Sequence, residues 1–220
     1  MYTRLAVAPR KAGVSRASFA QHWREVHGPS ALHLPGLRRY VQNHPLFVGG
    51  LRPLPHPNFD LCAELDFDDA QSMRDAFASE GYKRETGPDA HAFVDMSKLV
   101  VVEGDRIVRK APPAEDRAVK LITFLRRRSD VTPGEFRAAF VEEYADRLDT
   151  EKLAGHEQVV HREFDGSAPL TCDAADIVWF SSLEAALAHV CAADGENASA
   201  VLSPVSFGSE RILADPIRFR

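Results

Sequence analysis

The chain writes one pattern twice. At a constant offset of 117 residues, Ser15 meets Thr132, Phe19 meets Phe136, Trp23 meets Phe140 and His27 meets Tyr144. A repeat this long is a duplicated domain and not a solenoid unit. In the first copy, Tyr2 to Ala8 alternates like a strand, with Leu5 and Val7 on one side. Ser15 is placed to cap a helix through His27, with Phe19, Trp23, Val26 and Ser30 on its inward stripe. Gly28-Pro29 predicts a kink or an end to that helix, because proline has no N–H and crowds the preceding turn. Strands are expected at Leu37–His44, Leu61–Phe67 and Lys98–Glu103. A helix opened by Asp68 or Asp69 runs through Phe77, and short helical turns and loop occupy Tyr82–Phe93.

The order is β-α-β-β-α-β, the ferredoxin-like arrangement, in which two helices cover one face of an antiparallel sheet. The second copy repeats it. Strands are expected at Leu121–Arg126, His156–Phe164, Asp176–Phe180 and Glu210–Asp215, with helices after Thr132 and over Ser182–Ala193. The fold class is therefore α+β. Residues 1–110 form the first repeat, 111–116 a proline-stiffened linker, and 117–220 a diverged second repeat. Each repeat leaves one sheet face without helices, so the two faces are expected to stack as an intramolecular α+β barrel.

The net charge of −5 speaks against a nucleic-acid partner, which calls for a basic face. No apolar run reaches membrane-spanning length, and three cysteines (Cys62, Cys172, Cys191) without paired spacing point to a reducing compartment. A cytoplasmic protein without a membrane partner is the expectation. Whether two chains associate further is left open.

Chemistry concentrates in Phe19–His44, which holds four of the nine histidines and one of the two tryptophans. His27 sits at the edge of the inward stripe, where a near-neutral imidazole suits proton transfer. On the following strand Arg38, Tyr40, Gln42 and His44 share one face, while Leu37, Arg39, Val41 and Asn43 share the other. Either Tyr40 with Gln42, or Asn43 with Arg39, can reach the same cavity as His27 and hold a substrate oxygen. The catalytic candidates are His27, Tyr40 and Asn43; the substrate-binding candidates are Phe19, Trp23, Arg39 and Gln42. His22 is five residues from His27, not the i, i+4 of a helical metal pair, and reads as surface or packing. No metal motif, dinucleotide fingerprint or phosphate loop occurs, so neither a metal nor an organic cofactor is expected. In the second copy His27-Gly28-Pro29 becomes Tyr144-Ala145-Asp146. With the strand aligned at an offset of about 119, Tyr40 becomes Val159 and Asn43 becomes Arg162. The first copy then keeps the site, unless Tyr144, His161 and Arg162 build a different one.

Phe19-x-x-x-Trp23-x-x-x-His27-Gly-Pro, followed by Leu34-Pro-Gly-Leu-x-x-Tyr40-Val-Gln-Asn, resembles the signature of the EthD family, as does Phe93-Val-Asp-Met96. The resemblance covers residues 2–107 well and 119–215 only through pattern. It implies the dimeric α+β barrel superfamily, here as a tandem version. That superfamily includes cofactor-independent monooxygenases, isomerases, cyclases, dehydratases and some haem enzymes. The resemblance implies acid/base chemistry without a cofactor on a small apolar, aromatic or polyketide-like molecule. An oxygenase or ether-degradation accessory is the alternative, and a non-catalytic binder of a small ligand the third reading.

Overall fold

A computed structural model describes residues 1–54, 59–114, 118–161, 172–191 and 200–219. The chain forms two compact units. Unit 1 comprises Met1–Pro45, Pro57–Val101 and Pro216–Arg220; unit 2 comprises Leu46–His56 and Val102–Asp215. The border falls inside a strand, β4 (Val100–Lys110), rather than at 111–116. Residues 115 and 116 of the expected linker lie outside the described residues, as does Arg162.

In unit 1, β1 (Tyr2–Ala8), β3 (Leu61–Phe67) and β2 (Arg39–Pro45) pair antiparallel in that order. The register sets Arg4, Leu65 and Tyr40 in one row across the sheet, and Ala6, Ala63 and Gln42 in the next. Period-two alternation puts these side chains on the helix-covered face. Leu65 and Tyr40 pack there with Ala31, Leu34 and Met73, while Phe19, Trp23, Leu61 and Phe93 form a neighbouring cluster.

The first helix departs from expectation. Ser15 caps α1 (Arg16–His22), its hydroxyl accepting from the Ser18 N–H. Gly28-Pro29 does not end the helix, however. A π-helical turn at Trp23–His27 leads directly into α2 (Gly28–Ala31), with the Gly28 N–H donating to the Trp23 carbonyl. That i→i+5 register relaxes the turn ahead of Pro29, where a regular i→i+4 ladder would meet the proline ring. The extra residue also shifts the helical phase, so Val26 is exposed and not part of the inward stripe.

The same device recurs downstream. After α3 (Ala70–Ala78), capped by Asp69, a π turn at Tyr82–Thr86 runs into α4 (Gly87–Phe93) through Gly87-Pro88. Tyr82–Phe93 is thus helical as expected, but continuously so and without the expected loop. A side chain at Gly28 would crowd its neighbours. A Cβ there would lie 2.7 Å from the Phe219 ring and 2.9 Å from Gln42 Nε2.

In unit 2, strands pair antiparallel in the order β8 (Ser206–Arg218), β5 (Val119–Arg127), β7 (Ala174–Phe180), β6 (Gly155–Val160) and β4. Thr132 and Glu135 form a reciprocal capping box ahead of α5 (Pro133–Arg137). A π turn at Ala138–Tyr144 and α6 (Ala145–Arg147) continue that helix, and α7 (Leu183–Cys191) follows β7. Element order along the chain therefore repeats, and the class is α+β.

One hydrogen bond recurs in both units. Gln42 Nε2 donates to the Trp23 carbonyl at 2.7 Å, and Gln158 Nε2 donates to the Phe140 carbonyl at 2.7 Å. The strand offset is thus 116 and not 119. Tyr40 corresponds to His156 and Asn43 to Val159. Among the described residues, no helix is long and apolar enough to cross a membrane.

Candidate functional site

Within unit 1 a cavity of about 90 Å³ lies between helices and sheet and is partly open to solvent. Its floor includes Arg4, Leu65 and Tyr40, with Ala6 and Ala63 beside them. Two alanines at adjacent positions leave the space that longer side chains would fill. Trp23, His27, Phe93 and Tyr82 are among the walls.

His27 Nδ1 lies 2.8 Å from Asp89 Oδ2, and His22 Nε2 lies 2.8 Å from Asp89 Oδ1. One carboxylate therefore bridges two imidazoles. The π turn explains why five residues of separation bring both rings to one acceptor. With i→i+5 pairing, residues five apart stack along the helix, whereas in an α-helix they would point well apart. Phe93 packs between the pair, 4.8 Å from the His22 ring and 5.2 Å from that of His27. Side-chain exposure falls from 35% at His22 through 24% at Asp89 to 14% at His27, a path from surface to cavity.

Electrostatics set the protonation states. Burial holds His27 below the ordinary histidine value, with Asp89 pulling the other way, so the ring is largely neutral at pH 7. With Nδ1–H donated to Asp89, Nε2 is left as the basic nitrogen of a cavity-lining ring. Burial pushes Tyr40 up to about 12, keeping it a neutral phenol that accepts from Gln42 Nε2 at 3.0 Å. The His44 ring packs tilted against Trp23, 4.3 Å between centroids, and its pKa is pushed down to about 4, by burial and then by Arg24.

The structure sorts the sequence candidates by face. His27, Trp23 and Tyr40 line the cavity. Phe19 sits behind, 6.2 Å from the Trp23 ring and 5.1 Å from Phe93, as packing. Gln42 ties the sheet to the π turn through the Trp23 carbonyl. Asn43 and Arg39 lie on the opposite face and do not meet His27. Asn43 Nδ2 donates to Glu64 at 3.2 Å and to the Cys62 carbonyl at 3.1 Å, while Arg39 pairs with Glu64 at 3.0 Å. His22, read as a surface or packing residue, belongs to the Asp89 cluster.

Sequence reasoning missed Asp89 and Arg4. A signal for Asp89 existed in Thr86-Gly87-Pro88-Asp89, which echoes His27-Gly28-Pro29. For Arg4 it was an arginine mid-strand on the face away from Leu5 and Val7.

Unit 2 carries a different cluster at corresponding positions. The Tyr144 hydroxyl donates to Asp176 Oδ2 at 2.7 Å, and His156 Nε2 lies 2.7 Å from Asp176 Oδ1. All three are buried. Among the described residues, no group of three or more His, Cys, Asp or Glu side chains is placed to hold a metal ion.

Comparison with known proteins places this geometry in context. The chain matches an anthrone oxidase-like protein with a TM-score of 0.71 at 10% identity, over 98% of this chain and 91% of that one. It matches a Fusobacterium nucleatum protein described as a monooxygenase with a TM-score of 0.63 at 10% identity, over 98% and 91%. A chlorite dismutase variant from Candidatus Nitrospira defluvii matches with a TM-score of 0.51 at 10% identity, over 97% and 90%. At such identities the likeness is one of fold. Comparison with curated proteins found no match. The family model for the EthD domain matches residues 11–97. The segment bearing His22, His27 and Asp89 thus matches the EthD domain; it falls mainly in unit 1, with Leu46–His56 in unit 2.

Proposed function

We propose that the protein is a small-molecule enzyme working by acid/base chemistry in the unit 1 cavity, of isomerase, cyclase or dehydratase type. The single observation that carries this reading is the His27–Asp89 pair at the wall of an apolar hollow. Asp89 fixes the tautomer and orientation of His27, so that Nε2 takes a proton from the substrate and later returns it. The carboxylate also stabilises the imidazolium formed in between. His22, on the second carboxylate oxygen and nearer to solvent, gives that charge an outlet. Tyr40 remains protonated and supplies a hydroxyl beside the developing oxygen charge. Trp23 walls the substrate. The repeated element order supports reading the chain as a tandem duplication of a ferredoxin-like unit, of which unit 1 bears the site.

The test is proton exchange at the α-carbon of small enolisable ketones in D₂O, followed by NMR. Exchange above background that disappears in His27→Ala supports the reading; equal exchange in the variant removes it. The whole-chain likeness to an anthrone oxidase-like protein favours a second reading. There the same proton removal prepares an electron-rich carbanion for oxygen, and oxygen uptake in step with turnover would mark it. Binding without any chemical change to the ligand would leave a carrier.

A further inference from the structure

The cavity has a charged end as well as a basic one. Arg4 is the single permanently charged side chain among the described residues that line it. It stands in the same cross-sheet row as Tyr40, with Leu65 between them. At about 4.8 Å per strand, two spacings set the Arg4 and Tyr40 backbones roughly 9.5 Å apart. The guanidinium lies 4.8 Å from the centroid of Phe77, whose ring meets Tyr82 edge-on at 4.9 Å. That stacking orients a planar cation at the cavity wall. Burial lowers the Arg4 pKa, yet a guanidinium stays charged at any working pH. A desolvated arginine fork matches a carboxylate in shape and charge.

Resting on the acid/base reading above, we propose that the substrate class is a small planar organic acid. Its carboxylate is held by Arg4, and its apolar body lies over Ala6 and Ala63 toward His27. The volume sets the scale. About 90 Å³ is less than the roughly 150 Å³ of an apolar cavity that accepts benzene. Only the acidic head and the atoms next to it are therefore enclosed, and the remainder of the ligand extends to the open side.

The experiment is calorimetric titration of the full chain with crotonate and benzoate against crotonamide and benzamide. These pairs share shape and differ in charge. Wild type should bind each acid at least tenfold more tightly than its amide. Arg4→Met should lose that preference while keeping amide binding, which also reports that the cavity is intact, and Arg4→Lys should keep part of it. Equal binding of acid and amide by wild type, or binding of neither, overturns the proposal, as does an acid preference that survives in Arg4→Met. The two readings separate in His27→Gln. If that variant keeps the acid preference and its proton exchange is unchanged, the ligand class stands and the acid/base role falls. If acid and amide bind alike but exchange is lost, the reverse holds.

Discussion

The two units solve the same local problem in opposite ways. Over the sheet of unit 1, Ala6 and Ala63 leave a hollow, with His27 at its wall and Tyr40 at its floor. At the corresponding positions of unit 2 stand Thr123, Asp176, Tyr144 and His156. Histidine and tyrosine have exchanged places, and a carboxylate occupies the spot of an alanine. Asp176 joins both partners into a buried triad. Around it Phe136, Phe140, Leu148, Val160 and Leu202 pack as core. One unit keeps its polar groups at the wall of a cavity; the other packs them into its interior. At these positions two alanines leave a hollow in unit 1, whereas Thr123 and Asp176 fill the place in unit 2.

The sharpest way to break this contrast is by mutation at paired positions. His27→Ala should slow proton exchange by about 10²–10⁴, the range for removing a general base. Tyr144→Phe should leave that rate unchanged, as NMR exchange on both variants would show. A comparable loss in Tyr144→Phe would mean unit 2 also takes part.

Stability should show the mirror image. Asp176→Ala strands a buried hydroxyl and imidazole and should cost about 3–5 kcal/mol in urea unfolding. Asp89→Ala, whose partners are partly solvated, should cost no more than about 1 kcal/mol. Equal costs would erase the distinction between an open cluster and a sealed one.

A third prediction uses pH. His44 is held near 4 in the folded unit, against an ordinary 6.5. Between those values the unfolded chain binds more protons, so stability rises with pH. The contribution is present above 6.5 and is lost as pH falls through 4, amounting to about 3 kcal/mol at most. His44→Phe, which keeps a ring on Trp23, should flatten that part of the unfolding profile. The smallest effect belongs to unit 2, where Thr132→Ala removes the capping box at a cost of about 1 kcal/mol by thermal unfolding.

Much of the scaffold was legible because it follows from period and capping. The offset of 117 between Trp23 and Phe140, the Ser15, Asp69 and Thr132 caps, and the strand at Leu61–Phe67 all rest on local rules. Candidates on Leu37–His44 divided by face, as alternation requires, but period two cannot say which face meets the helices. The structure puts Tyr40 on that face and Asn43 on the other. His22 and Asp89 escaped because an α-helical wheel assumes 3.6 residues per turn, and neither π turn obeys it. The strand offset was not legible because the shared landmark is the glutamine that bonds the helix carbonyl, and that bond is seen only in the fold.

The widened turn at Trp23–His27 has a consequence for how such a protein can change. Each helical residue advances the chain by about 100°, so deleting one residue from that turn would swing everything beyond it around the axis. Pro29 would then face a regular ladder, and the two imidazoles would part from their shared acid. Gradual substitution cannot reach such a state. In unit 2 the π turn at Ala138–Tyr144 continues into Ala145-Asp146 with no proline behind it, so the widened turn does not depend on one.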